Sequence, residues 1–153
     1  KMTIYRITKA KYALDFNGKG AAKFGNRWNS KGTEVIYCAE SRALAFAELS
    51  VYLNVSMAST AYKMLTIKVP DHLKVKEIHW LNLPKNWKNY PHIRDTQIFG
   101  DEFVEENKFA TMRVPSAIVQ GDYNIVINPK HKAFKEIEIT EFANFPIDRR
   151  FFE

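Results

Sequence analysis

Residues 35–50 read VIYCAESRALAFAELS, and this stretch decides the class of fold. Its first five residues, Val35-Ile36-Tyr37-Cys38-Ala39, form an apolar run of the length and composition of a buried strand. Ser41 follows, a residue whose hydroxyl accepts from the free amides of a first helical turn, and it predicts a helix running to about Leu53. In that helix Leu44, Ala45, Val51 and Tyr52 line one side while Phe46, Leu49 and Leu53 line the other, which predicts burial all round. Glu48 is the only acid between them, one turn from Leu44 and one turn from Tyr52. A carboxylate there must be desolvated, paired or turned to a cleft, and each of these shifts its proton affinity. Lone buried carboxylates cluster at functional sites, although structural ion pairs imitate them. Glu48 is therefore the leading candidate for chemistry.

Toward the N-terminus, residues 2–8 are rich in β-formers and read as a first strand. Residues 15–32 hold four of the six glycines and read as a long structured loop, ordered by Phe16, Phe24 and Trp28. Gly18 and Gly20 begin a dinucleotide fingerprint, but Lys23 stands where its third glycine belongs. Gly20 and Gly25 have P-loop spacing, yet Asn26-Arg27 follows in place of Lys-Ser/Thr. Both phosphate-loop readings fail. What remains is a glycine-rich backbone ending in Arg27, whose planar fork suits a bidentate grip on phosphate and equally suits a surface salt bridge.

Toward the C-terminus, residues 61–69 alternate and read as a strand stopped by Pro70. A loop with Pro84 and Pro91 leads to a helix over 95–107, where Ile98, Phe99 and Phe103 have helical spacing and Gly100 weakens the pattern. Strands are predicted at 111–114, 117–119 and 125–127, separated by Pro115-Ser116 and Gly121-Asp122, and again at 135–140. Strands outnumber helices without alternating regularly with them. The expected class is α+β, with residues 1–153 as one domain.

Composition narrows the function classes. With 153 residues, of which 46% are hydrophobic, the chain can bury a core without staples. Cys38 is the single cysteine, so no internal disulfide can form, and it reads as a small buried hydrophobe. No run approaches the roughly 20 apolar residues of a membrane span, and residues 1–10 lack a signal-peptide core, so a cytoplasmic protein is expected. The net charge of +6 attracts anions, but the lysines are scattered as on a solvated surface. His72, His79, His92 and His131 are isolated, with no zinc spacing, and neither a GxSxG elbow nor a Cys/His pair supports nucleophilic hydrolysis.

Taken in order, several segments resemble the RES domain family. They are Ile4-Tyr5-Arg6-Ile7, Gly18-Lys19-Gly20-Ala21, Gly25-Asn26-Arg27-Trp28-Asn29, Val35-Ile36-Tyr37-Cys38-Ala39-Glu40-Ser41 and Ala43-Leu44-Ala45-Phe46-Ala47-Glu48. Further on come Val69-Pro70-Asp71, Leu83-Pro84-Lys85-Asn86-Trp87, Gly100-Asp101, Arg113-Val114-Pro115-Ser116-Ala117 and Asn128-Pro129-Lys130-His131. Asn26 replaces a glycine common in the family, and Phe103 replaces a tryptophan. The resemblance implies an ADP-ribosyltransferase-like fold with a mixed or antiparallel β core and flanking helices. It also implies a toxin of a toxin–antitoxin pair that degrades NAD as substrate, with no cofactor and no metal. An Xre-like DNA-binding antitoxin would block its active site, with a homodimer inside the hetero-oligomer as one arrangement. Membrane and direct nucleic-acid binding are not implied. Carried over by position, Arg27, Tyr37, Glu48 and Ser116 are the catalytic set, and Trp28, Asn29 and Ser41 join Arg27 and Tyr37 in binding substrate.

The chemistry suits that set. Cleaving the nicotinamide–ribose bond builds positive charge on the sugar, as glycoside hydrolysis does. Glu48 is expected to stabilise that charge and bind a ribose hydroxyl, Arg27 to hold pyrophosphate, Tyr37 to stack on nicotinamide, and Ser116 to orient substrate or Glu48. Mono-ADP-ribosylation of a protein would use the same residues with another acceptor. An RNA-binding or RNA-cleaving toxin is the third reading, suggested by charge and the 14% aromatic content, though no RNA-recognition signature is present. The first two readings require positions 27 and 48 to share one cleft.

Overall fold

The computed structural model describes residues 2–153. Seven strands, β1 (Met2–Lys9), β2 (Ile36–Ala39), β3 (Tyr62–Val69), β4 (Val75–Glu77), β5 (Thr111–Pro115), β6 (Tyr123–Ile127) and β7 (Glu138–Asn144), form one sheet. Its order is β4-β5-β6-β2-β1-β3-β7. Among the described residues only the β4–β5 pair is parallel, so the sheet is mixed and the class α+β, as expected. Three α-helices pack around it: α1 (Lys19–Phe24), α2 (Arg42–Ser50) and α3 (Arg94–Glu106). Among the described residues no helix is long and apolar enough to cross a membrane.

The two-residue period of the strands divides the core between the sheet's faces. Ile36, Cys38, Ile125 and Ile127 join Ile4, Leu65 and Ile67 in one cluster. On β5 and β6, Met112, Val114 and Val126 face the other way, against Phe103 of α3 and the indoles of Trp28 and Trp87. Ala39 and Met64 receive Leu44 and Ala45 of α2 in a third cluster.

Where the sheet is weakest is informative. β1 pairs with β3 along its whole length, but it meets β2 at a single position, Tyr5 opposite Ala39. The sheet parts there.

Several expectations give way. The helix after Ser41 stops at Ser50, and only Leu44 and Ala45 are buried on it. Val51 is 56% and Tyr52 47% exposed, so burial all round is overturned. One side of α2 rests on the sheet, while the side of Phe46 is covered only locally, by Phe145 tilted against the Phe46 ring and Phe151 edge-on to it. Inside residues 15–32 lies α1, which the glycines concealed. Residues 117–119 are not a strand: the Ser116 hydroxyl accepts from the amides of Ile118 and Val119, which folds them into a turn. The last strand starts later than predicted, because a 3₁₀ turn occupies Lys132–Glu136. The three residues of β4 are too few to leave a period.

Candidate active site

A cavity of about 220 Å³ opens where β1 and β2 part, lined by residues of both strands, of α2 and of the loop after α1. Arg27, Trp28, Tyr37 and Glu48 all line it. Positions 27 and 48 therefore share one cleft.

Glu48 sits half-buried on the face of α2 turned to this cavity. The Ser116 hydroxyl donates to its Oε2 at 2.7 Å. That hydroxyl already accepts from two backbone amides, each at 3.0 Å. With both lone pairs engaged, its proton has one good destination, and the bond is polarised toward a carboxylate acceptor. Burial pushes the Glu48 carboxyl above the usual range, and the Ser116 hydroxyl, the charge of Arg27 and the Asn124 amide oppose that rise. A carboxylate so placed is under-solvated yet oriented. It suits stabilisation of a cation arriving in front of it.

Arg27 is held by backbone. Its Nη1 donates to the carbonyls of Trp87, at 2.7 Å, and Asn89, at 3.0 Å. These bonds fix the plane of the guanidinium. Arg27 and Glu48 influence each other's proton affinity, but no ion pair joins them among the described residues. A cation and an anion thus line one cavity without neutralising each other.

The loop that carries Arg27 is clamped from below by α3. Gln97 donates to the Asn26 carbonyl at 3.1 Å. Asp101 accepts from the Ser30 amide at 3.0 Å and from its hydroxyl at 2.6 Å. Between them Gly100 lies directly against the loop, where a Cβ would stand 1.5 Å from the Trp28 carbonyl oxygen. The glycine that weakened the helical pattern is what allows this approach.

Tyr37 is locked in the same way. Its hydroxyl donates to Asn29 Oδ1 at 2.6 Å and accepts from the Trp28 amide at 3.1 Å. Asn29 is fully buried, and its Nδ2 donates to the carbonyls of Ala21, Ser30 and Thr33. Burial drives the Tyr37 phenol far above its ordinary range, so it stays neutral.

Asn29 and Ser41, expected to touch substrate, do not line the cavity. Asn29 positions Tyr37, and Ser41 caps α2 by accepting from the Leu44 amide at 3.0 Å. Ser116 also stands behind the lining, acting on Glu48. The cavity includes residues that sequence reasoning missed: Arg6, Tyr52, His92 and Asn124. Arg6 spans the parting of the strands, its Nη1 donating to the Tyr37 carbonyl at 2.7 Å. Burial lowers its proton affinity, and among the described residues no carboxylate pairs with it. A weaker form of the signal that marked Glu48 was present here too, as a charge set between Tyr5 and Ile7 in a strand. Tyr52 lay one turn beyond Glu48 and could have been found likewise. His92 carried no local signal.

These features define a RES domain: the model of that family matches residues 3–148, and the chain belongs to the family. Among its relatives, a "Toxin Res" of Yersinia enterocolitica is 33% identical over 135 residues, covering 88% of each chain. A "Prs ADP-ribosylating toxin" of a Sphingobium species is 36% identical over 140 residues, covering 90% of this chain and 87% of that one. The fold resembles a crystal structure of the M. tuberculosis MbcT–MbcA toxin–antitoxin complex. The TM-score is 0.77 at 22% identity, over 94% of this chain and 83% of that one.

Proposed function

We propose that this chain is the toxin of a toxin–antitoxin pair and depletes NAD by cleaving its nicotinamide–ribose bond. The observation that carries this reading is the unneutralised pair of Glu48 and Arg27 lining one cavity. In the reaction, nicotinamide leaves C1′ of the ribose with the bonding electrons, and positive charge develops on the sugar. Glu48, oriented by Ser116, stabilises that charge and accepts a ribose hydroxyl bond. Water or phosphate then forms the new bond at C1′, and a water nucleophile releases its proton to solvent. Arg27 meets the pyrophosphate, and Arg6 adds a second positive charge to the cavity wall. The Tyr37 ring supplies a neutral stacking face for nicotinamide.

A second reading keeps the same residues and gives the ADP-ribose to a protein side chain. Similarity to a relative named for ADP-ribosylation favours it. Of the aromatics behind the RNA reading, Trp28, Trp87 and Phe103 are core residues.

The test is to incubate the purified protein with NAD, with and without phosphate. Free nicotinamide without labelled protein is the expected result, and labelled protein would favour the second reading. Glu48→Gln keeps the shape and removes the charge, so turnover should fall by roughly 10²–10³ or more. A glutamine variant as active as the parent would overturn the role of Glu48.

A further inference from the structure

Beside the catalytic cavity lies a second groove of about 340 Å³, walled by Phe24, Gly25, Asn26, Tyr52, Tyr90, Pro91 and His92. The two share Asn26, Tyr52 and His92 and are therefore adjacent. Core packing does not account for the groove's aromatics. Phe24 is 72% and Tyr90 73% exposed, and neither belongs to a core cluster. Scattered apolar side chains on a surface are ordinary, but exposed rings gathered on one concavity mark a binding site.

We propose that this groove seats the adenine base of the substrate. The inference rests on the NAD reading and extends it to the other end of the dinucleotide. Size is the first argument. At about 220 Å³ the catalytic cavity lies below the roughly 300 Å³ at which pockets for drug-sized ligands begin, so a dinucleotide must extend beyond it. Order along the site is the second. Glu48 lines only the catalytic cavity, and the rings of Phe24 and Tyr90 line only the groove. Arg27 stands at the junction: it directly follows Asn26, and it is tied to the carbonyls of Trp87 and Asn89, just ahead of Tyr90. A molecule with its ribose–nicotinamide end at Glu48 and its pyrophosphate at Arg27 carries its base into the groove.

Chemistry is the third argument. A purine has a large π face and needs flat apolar walls. Tyr90 and His92 stand edge to face, with centroids 5.1 Å apart and an interplanar angle of 86°. No carboxylate lines the groove to repel a nucleotide, and the Lys23 ammonium lies 5.3 Å from the Phe24 ring centroid.

The test titrates 5′-AMP, which carries the base without the reacting bond, into the parent and into Phe24→Ala and Tyr90→Ala variants by calorimetry. Both positions are exposed, so both variants should fold, and unchanged melting temperatures check this. AMP should bind the parent, and each lost ring should weaken it roughly tenfold. The KM for NAD should rise by a similar factor, and preference for NAD over nicotinamide mononucleotide should fall. Tyr90→Phe keeps the ring and should restore binding. If AMP fails to bind the parent, or binds parent and variants alike, the groove is not the base site, whatever the protein does to NAD. If AMP binding depends on the rings but the parent cleaves no NAD, the groove stands and the proposed reaction falls.

Discussion

At Glu48 two demands compete. The fold would hold a neutral side chain more comfortably, and the proposed chemistry needs a charged one. Because burial raises its pKa above the unfolded value, its contribution to stability is fully present below the ordinary carboxylate range. That contribution is lost as pH rises through the raised value. Glu48→Gln, though it lowers turnover, should therefore melt no lower than the parent at neutral pH. Thermal melts at pH 4 and pH 7 check this: the parent should lose some stability between them at this site, and the variant should not. Ser116→Ala works in the opposite sense on the titration. The Ser116 bond favours the carboxylate, so removing it should lift the Glu48 pKa further and move the acid limb of the pH–rate profile to higher pH. A hydrogen bond to a charged group contributes about 1.5–3 kcal/mol, so the limb should move perceptibly, and an unmoved limb would deny Ser116 its positioning role.

At the scale of elements, α3 matters more than its distance from the chemistry suggests. Gln97, Gly100 and Asp101 bear on consecutive parts of the loop that carries Arg27 and Trp28. Gly100→Ala drives a Cβ into backbone that cannot yield, and should cost about 3 kcal/mol or more, at the top of the usual range for overpacking. Urea unfolding measures it. Asp101 supplies a pH dependence. Burial alone would raise its pKa, but bonds from the Ser30 hydroxyl and amide, with Thr33 and the charge of Arg94, hold it below the usual range. A depressed pKa stabilises above the unfolded value of about 3.9, and that contribution is lost as pH falls through the folded one. Asp101→Asn should mimic the protonated state at neutral pH and loosen the loop. Hydrogen exchange at residues 26–30 should rise in the variant, and equal protection would refute the clamp. α3 itself was legible from its spacing, whereas its grip on the loop was not, because contacts between positions 30 and 101 leave no local periodicity.

For the whole molecule, the net charge of +6 attracts anions and so suits an acidic partner. Under the toxin–antitoxin reading proposed above, the antitoxin would inhibit the toxin by covering the catalytic cavity. Co-expression with an acidic, DNA-binding neighbour should yield a complex by native mass measurement, and that complex should release little nicotinamide from NAD. Separate masses for the two chains would count against it.

The amino-acid sequence determined the α+β class, the strand–helix unit around Ser41 and the candidate Glu48, whereas Arg27 and Tyr37 entered as site residues through the RES resemblance. It could do so because alternation, capping and a lone charge in an apolar segment are local properties. Tertiary structure alone decided that β1 and β2 meet at one point and open a cavity between them. It alone aimed Ser116 at Glu48, left Asn29 and Ser41 out of the cavity lining, and brought Arg6 and His92 to the same cleft. Those outcomes depend on which distant backbones pack together, and the burial of a side chain is fixed by that packing rather than by its neighbours in the chain.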